Sequence, residues 1–212
     1  MLLLVATWPA LAPTDPDYWW HVRTGQLIAE TGAVPSADPY SFTAAGQPWV
    51  AHEWLSELLF YAVQHAVGYA GNVVLIGALG ALAAMALFAT CRLWGVGELA
   101  AVLLVLWAFG MSVGSFGVRP QTFTRVLLAL LVLVLSLYRR DGNWRWLVAV
   151  PPIVLVWTNL HGGFAIGLGL LGLMLLGEAV EVVVRGEGWR CVVPLAVASA
   201  VSIGVTLINP NG

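Results

Sequence analysis

The 212-residue chain is 60% hydrophobic and only 9% charged, with a mean hydropathy of +0.87 and a formal net charge of −2. Soluble domains carry roughly 25% charged residues, so this composition excludes a water-soluble globular protein and points to an integral membrane protein. All nine basic residues are arginine, with no basic patch interleaved with aromatics, which argues against a nucleic-acid partner, and Cys91 and Cys191 are too few and too far apart for a disulfide framework or a zinc motif.

Taken in order, residues 1–13 are apolar but shorter than the roughly 20 residues that cross a bilayer as helix, and they lack the positively charged start of a signal peptide. They are expected to be the tail of a first transmembrane helix. A polar stretch follows, Thr14 to Glu57, which holds Asp15, Asp17, His21, Arg23, His52 and Glu53 beside four tryptophans. Candidate spans then recur at about 72–91, 99–118, 121–138, 146–160, 164–184 and 191–208. Each satisfies its backbone internally as a helix, and the alternating segments of about ten residues that a β-barrel needs are absent. The expected fold is all-α: a polytopic transmembrane helix bundle of about seven spans. It forms a single domain over 1–212, with 14–71 as a large loop carrying amphipathic interfacial helices and 72–212 as the helix bundle.

The short loops orient this bundle. Arg92, Arg139, Arg140, Arg145, Arg185 and Arg190, six of the nine arginines, fall in the loops 92–98, 139–145 and 185–190. Such an excess marks the cytoplasmic side, where the two cysteines also lie and thiols stay reduced. Glu178 and Glu181 are expected to reach water at that face. The 14–71 loop, Arg119, Arg125, Asn159, His161 and Asn209 accordingly fall outside the cytoplasm. Polar residues from five separate parts of the chain thus meet at one membrane face, and topology alone does not explain them.

Within the loop, DYWWHVRTGQLIAETG predicts a helix with Asp17 near its start as a cap and Gly32 just past its end. Trp19, Trp20 and Ile28 suit a helix lying in the interface. After the turn-rich VPSADPYSFTAAGQP, the run HEWLSELLFYAVQHAVG predicts a second amphipathic helix leading into the 72–91 span, with Glu53, Glu57 and Gln64 close to one face. The runs GALGAL and GLGLLG belong to spans, where they permit close helix approach. No strand or following lysine makes them phosphate loops.

Asp15 and Asp17 flank Pro16, whose fixed φ stiffens the local backbone. Two acids this close suit a general base, a metal site or both, and a helix cap beside a solvated acid is the structural alternative. His52-Glu53 opens like the zinc-protease motif H-E-x-x-H, but Ser56 stands at the fifth position and excludes it. Arg119-Pro120-Gln121 lies at a helix boundary, with Arg125 further into the next span. An arginine inside a span needs a partner or a water-filled cavity, and its guanidinium matches phosphate oxygens. Trp157 to Gly163 turns from one span into the next and brings Asn159 and His161 to the same face, as cavity-lining or as interface residues. Asn209-Pro210-Asn211-Gly212 reads mainly as a turn.

An aspartate just after a first transmembrane helix, followed by a membrane-parallel helix, resembles the first exoplasmic loop of the multi-spanning glycosyltransferases of the C superfamily, the GT-C fold. D-Y-W-W-H-V-R, Gly32 and then D-P-Y-S-F-T-A-A-G are similar, over about thirty residues, to the D-P-Y-Y-H-Y-R…G…D-P…G pattern of oligosaccharyltransferase catalytic subunits. With G-Q-P-W, H-E-W, R-P-Q and W-T-N-L-H-G-G-F added, nearly the whole chain resembles a group of bacterial polytopic membrane proteins assigned to that fold.

The resemblance implies a transferase that uses a sugar or glycan on a polyprenyl phosphate at the outer face of the cytoplasmic membrane. Its partners are then membrane lipids, that donor and an unidentified acceptor. Asp17 matches the family's catalytic loop aspartate, and Asp15 or Glu53, with His52 beside it, is the second acid. Trp19, Trp20, His21, Arg23, Gln121, Asn159 and His161 complete the candidate substrate-binding set with Arg119 and Arg125, the arginines being assigned from topology. Asp15 and Asp17 are the metal-ligand candidates; a divalent cation is compatible with them and not required. The alternative is a non-catalytic membrane protein that binds or transports lipid-linked glycans. The family usually has more spans and often a soluble C-terminal domain, so the chain is expected to be either a fragment or a minimal relative.

Overall fold

The computed structural model describes residues 1–11, 15–112, 117–186 and 188–210, and for Trp8, Pro9 and Leu11 the backbone alone. Thr14, residues 113–116 at the expected end of the 99–118 span, and the Asn211 and Gly212 of the terminal turn lie outside them. Among the described residues run eight α-helices: α1 (Leu2–Leu11), α2 (Tyr18–Thr31), α3 (Trp54–Leu93), α4 (Glu98–Gly110), α5 (Gln121–Asp141), α6 (Val150–Leu160), α7 (Phe164–Arg185) and α8 (Val193–Val205). No strand forms among them; an isolated antiparallel bridge pairs Ala37 with Pro48 in the loop after α2.

Three helices, α3, α5 and α7, are long and apolar enough to cross a membrane. The helices α1, α4, α6 and α8 have 10, 13, 11 and 13 residues. At 1.5 Å per residue they reach roughly 15–20 Å, short of the ~30 Å hydrocarbon core. The seven segments read from hydropathy thus resolve into three helices of crossing length and four shorter ones. Proline explains part of the shortening. Pro151, Pro152 and Pro194 sit in first turns, where a missing N–H costs nothing, and the chain enters α6 and α8 through the 3₁₀ turns Trp144–Ala149 and Trp189–Cys191.

The apolar surface faces outward. Only 33%, 44% and 22% of the most apolar windows of α3, α5 and α7 are buried. Leu103, Trp107, Leu173, Val184 and Ile203 stand exposed among many others. Water does not tolerate so large an apolar surface on a monomer, whereas hydrocarbon does. The chain is a membrane protein.

The helix α3 is two helices joined at Gly68, whose φ of 73° and ψ of −173° are open to glycine and to almost nothing else. Twelve residues of straight helix span about 18 Å, yet the Asn72 side-chain amide donates to the Phe60 carbonyl at 3.0 Å. The chain therefore folds back sharply at Gly68. The amphipathic half, from Trp54 to Val67, lies across one end of the bundle, and the half from Tyr69 to Leu93 is the apolar span. Asn72, fully buried, also donates to the Tyr18 hydroxyl at 2.9 Å and so ties both halves to α2.

Packing is closest where side chains are smallest. A Cβ on Gly77 would fall onto the Ala6 carbonyl, so the GALGAL run is what lets α1 lie against α3. In GLGLLG only Gly167 has a neighbour at that range, the Trp157 ring; Gly169 and Gly172 face open space. At one end Arg139 donates to both oxygens of Glu181, at 3.1 and 2.8 Å, and ties α5 to α7, while Glu178 stays buried beside it. The opposite end carries the start of α3, the start of α5, the turn from α6 to α7 and the residues after α8.

Candidate functional site

The site begins with how closely α2 lies on α3. Tyr18, His21 and Gly25 share one face of α2. A Cβ on Gly25 would land inside the Glu57 carbonyl, so glycine is what permits the contact. Across it, Glu53, Glu57 and Gln64 all turn toward α2, as their spacing requires. The Tyr18 hydroxyl donates to Gln64 Oε1. His21 Nδ1 lies 3.2 Å from Glu57 Oε1 and 3.8 Å from Glu53 Oε2.

His161 reaches the same carboxylates from the far side of the sequence. Its Nδ1 accepts the Gly163 backbone N–H at 2.9 Å and lies 2.8 Å from Thr124 Oγ1. Thr124 in turn accepts the buried Trp157 indole N–H at 2.9 Å, which leaves its hydroxyl proton for His161. With Nδ1 an acceptor, the neutral ring carries its proton on Nε2, which stands 3.3 Å from Glu53 Oε1. Only glycine fits at 163, because a Cβ there would overlap Thr124. Thr124→Val keeps the shape but strands the Trp157 N–H, and it should cost about 1–3 kcal/mol in thermal unfolding. Thr124→Ser should stay near wild type; equal losses in the two variants would show that the hydroxyl does not matter.

Burial pushes the Glu53 carboxyl up, with Glu57 and Asp17 adding to the effect and His21 and His52 opposing it. Burial likewise holds the His161 imidazole below its usual range, helped by the charges of His52, His21 and Arg125. The two therefore meet as a neutral ring and a carboxylate with raised proton affinity. His52, 61% exposed, rests against the Gly162 turn; its Nδ1 lies 3.4 Å from the Val50 carbonyl and its Nε2 3.7 Å from Glu53 Oε1. One ligand atom from each of His21, Glu53 and Glu57 can be chosen so that all lie within 4.8 Å of one another.

The two aspartates of the DPD turn part company. Asp15 is buried, accepts the Asp17 backbone N–H at 2.9 Å, and holds an ion pair with Arg119 Nε. Asp17 occupies the cap position of α2 but makes no side-chain capping bond, and it stays exposed within electrostatic range of Glu53. The pair is not a joint ligand set, because Asp15 is already matched by an arginine.

The remaining candidates divide in the same way. Trp20 packs with Tyr40 and Trp49 at ring separations of 4.5 and 6.2 Å and lines a cavity of about 130 Å³ together with His21, His52, Glu53 and Glu57. Trp19 points outward, 58% exposed, and Arg23 bonds Gln26 on the outer face of α2. Gln121 is exposed at the start of α5. Arg125 lines an apolar cavity of about 230 Å³ between α3, α4 and α5. Asn159 works as a brace: it accepts from the Trp54 indole at 2.9 Å and donates to the Leu155 and Ile208 carbonyls. A larger cavity of about 520 Å³, lined by Trp144, Leu147, Pro151 and Pro194 among others, has apolar walls and lies away from this chemistry.

No family model, curated protein or solved structure matches the chain. The site is therefore argued from its own geometry. Sequence reading passed over Glu57 and Thr124 as site residues. Glu57 was within reach, one turn after Glu53 on the same face; nothing in the sequence marks Thr124.

Proposed function

We propose that the chain is a membrane glycosyltransferase of the GT-C type, or part of one, that moves a sugar or glycan from a polyprenyl phosphate at the outer face of the bacterial cytoplasmic membrane. The observation that carries this reading is the split of the DPD turn: Asp15 neutralised by Arg119, Asp17 exposed beside a half-buried carboxylate–imidazole centre. An exposed carboxylate at that point suits a general base. The acceptor hydroxyl attacks the anomeric carbon, the bond from that carbon to the phosphate oxygen breaks, the phosphate departs with the electron pair, and Asp17 takes the acceptor's proton.

Arg119, about one-third exposed while anchored on Asp15, and Arg125 lie within electrostatic range of each other, and together they suit the departing phosphate. The apolar cavity beside Arg125 suits the first units of a prenyl chain. Trp19 and the fully exposed Phe42 suit the interface at the same end. The arginine-rich end faces the cytoplasm in this reading, which puts the 14–71 loop outside, with the shorter helices completing the multi-pass bundle.

The test is release of polyprenyl phosphate from a panel of polyprenyl-phosphate sugars by the purified protein in bilayer discs. Turnover by wild type, reduced about 10²–10⁴-fold in Asp17→Asn, is the expected result. Full turnover in Asp17→Asn sinks the assignment of the base. Binding of the lipid without turnover in either protein puts the glycan-binding alternative ahead.

A further inference from the structure

We propose that His21, Glu53 and Glu57 form a binding site for a divalent first-row transition ion of the Mn²⁺ or Zn²⁺ class, distinct from the Asp15–Asp17 pair. The spacing approaches that of a coordination shell. Metal–ligand distances near 2.1 Å put neighbouring ligand atoms roughly 3.0–3.4 Å apart. His21 Nδ1 stands 3.2 Å from Glu57 Oε1, inside that range, and 3.8 Å from Glu53 Oε2, a few tenths beyond it, and the three ligand atoms all lie within 4.8 Å of one another.

An independent observation points to a cation as ligand. Glu57 Oε2 is buried and has no hydrogen-bond partner, in a side chain only 4% exposed. A buried carboxylate oxygen without a donor is costly, and a metal ion relieves that cost. The cavity of about 130 Å³ lined by all three residues gives the ion room and an approach.

The surroundings are those that hold metal ligands in place. Ligating carboxylates are themselves hydrogen-bonded. Glu53 Oε1 faces His161 Nε2, fixed as a donor by Thr124 and Gly163, which leaves Glu53 Oε2 for the ion. His52, 61% exposed, stands on the open side with its Nε2 3.7 Å from Glu53 Oε1, outside the set of three ligands. One imidazole with two carboxylates favours Mn²⁺, Fe²⁺ or Zn²⁺ over Mg²⁺ and Ca²⁺, which prefer all-oxygen shells.

The site does not depend on the transfer reading, because ion binding is measured without any sugar donor. The full chain in bilayer discs, stripped with chelator, is titrated calorimetrically with MnCl₂ or ZnCl₂ alone. One ion per chain is expected, undisturbed by a hundredfold excess of Mg²⁺. Glu57→Gln and His21→Ala should each weaken binding about 100-fold or more, and Glu30→Gln, on the exposed face of α2, should bind as wild type does. Absence of saturable binding up to millimolar ion, or unchanged binding in Glu57→Gln, overturns the proposal. Should those variants fail to fold, X-ray absorption of the zinc-loaded wild type decides: imidazole nitrogen in the shell upholds the site, and an all-oxygen shell rejects it.

Discussion

Arg119→Ala is expected to lower stability by about 2–4 kcal/mol, because it strands a buried charge rather than removing a surface contact. The Asp15 side chain is 1% exposed and spends Oδ1 on the Asp17 backbone N–H, so its other oxygen depends on Arg119. The arginine is itself 35% exposed, so water can partly replace it, which brings the figure below the 3–5 kcal/mol typical of breaking a fully buried pair. Asp15→Asn keeps an oxygen for the turn and has no charge to strand. In the Asp15→Asn/Arg119→Ala double variant most of the loss should return. Thermal unfolding of the four proteins in bilayer discs checks this, and simple additivity would mean that the pair does not act as one.

Gly25→Ala should also be damaging, by a different route. The added methyl meets the Glu57 backbone carbonyl, which cannot swing aside as a flexible side chain would, so α2 must lift from α3. Overpacking of this kind costs about 1–3 kcal/mol, and here it also draws His21 away from Glu57. Loss of stability is therefore expected together with weakened Mn²⁺ or Zn²⁺ binding. Gly169→Ala is the control: nothing lies within 4 Å of its Cβ position, and a helix interior favours alanine over glycine by up to about 1 kcal/mol. If both glycines tolerate alanine equally, the close approach of α2 to α3 is not what holds the centre.

Much of the local structure could be read from the residues. Composition alone leaves no soluble alternative. The end of α2 follows from Gly32, whose φ of 68° closes the helix as a glycine after a last turn does; its start falls at Asp17 as read, without the capping bond. The face formed by Glu53, Glu57 and Gln64 follows from the 3.6-residue period, and all three meet α2. The segregation of arginines is equally local in origin: six lie in the last turns of α3, α5 and α7 or in the short turns between helices, and Arg139 ties two helices together at that end.

Long-range contacts decided the rest. Asp15 and Asp17 are near-equivalent in sequence, two carboxylates on either side of a proline, and only the arrival of Arg119 from the start of α5 turns one inward and leaves the other exposed. Crossing length was not legible either, because hydropathy averages over Pro151, Pro152 and Pro194, whereas an α-helix cannot continue backwards through a residue that has no N–H to donate, so α6 and α8 begin there. The proton on His161 depends on a threonine in α5, a tryptophan in α6 and the amide of Gly163, none of which periodicity ties to a histidine. Composition determined the membrane class, and periodicity, a property of neighbours along the chain, determined the helices and their faces. The carboxylate–imidazole centre depends on groups brought together across the bundle, and only the tertiary structure decided it.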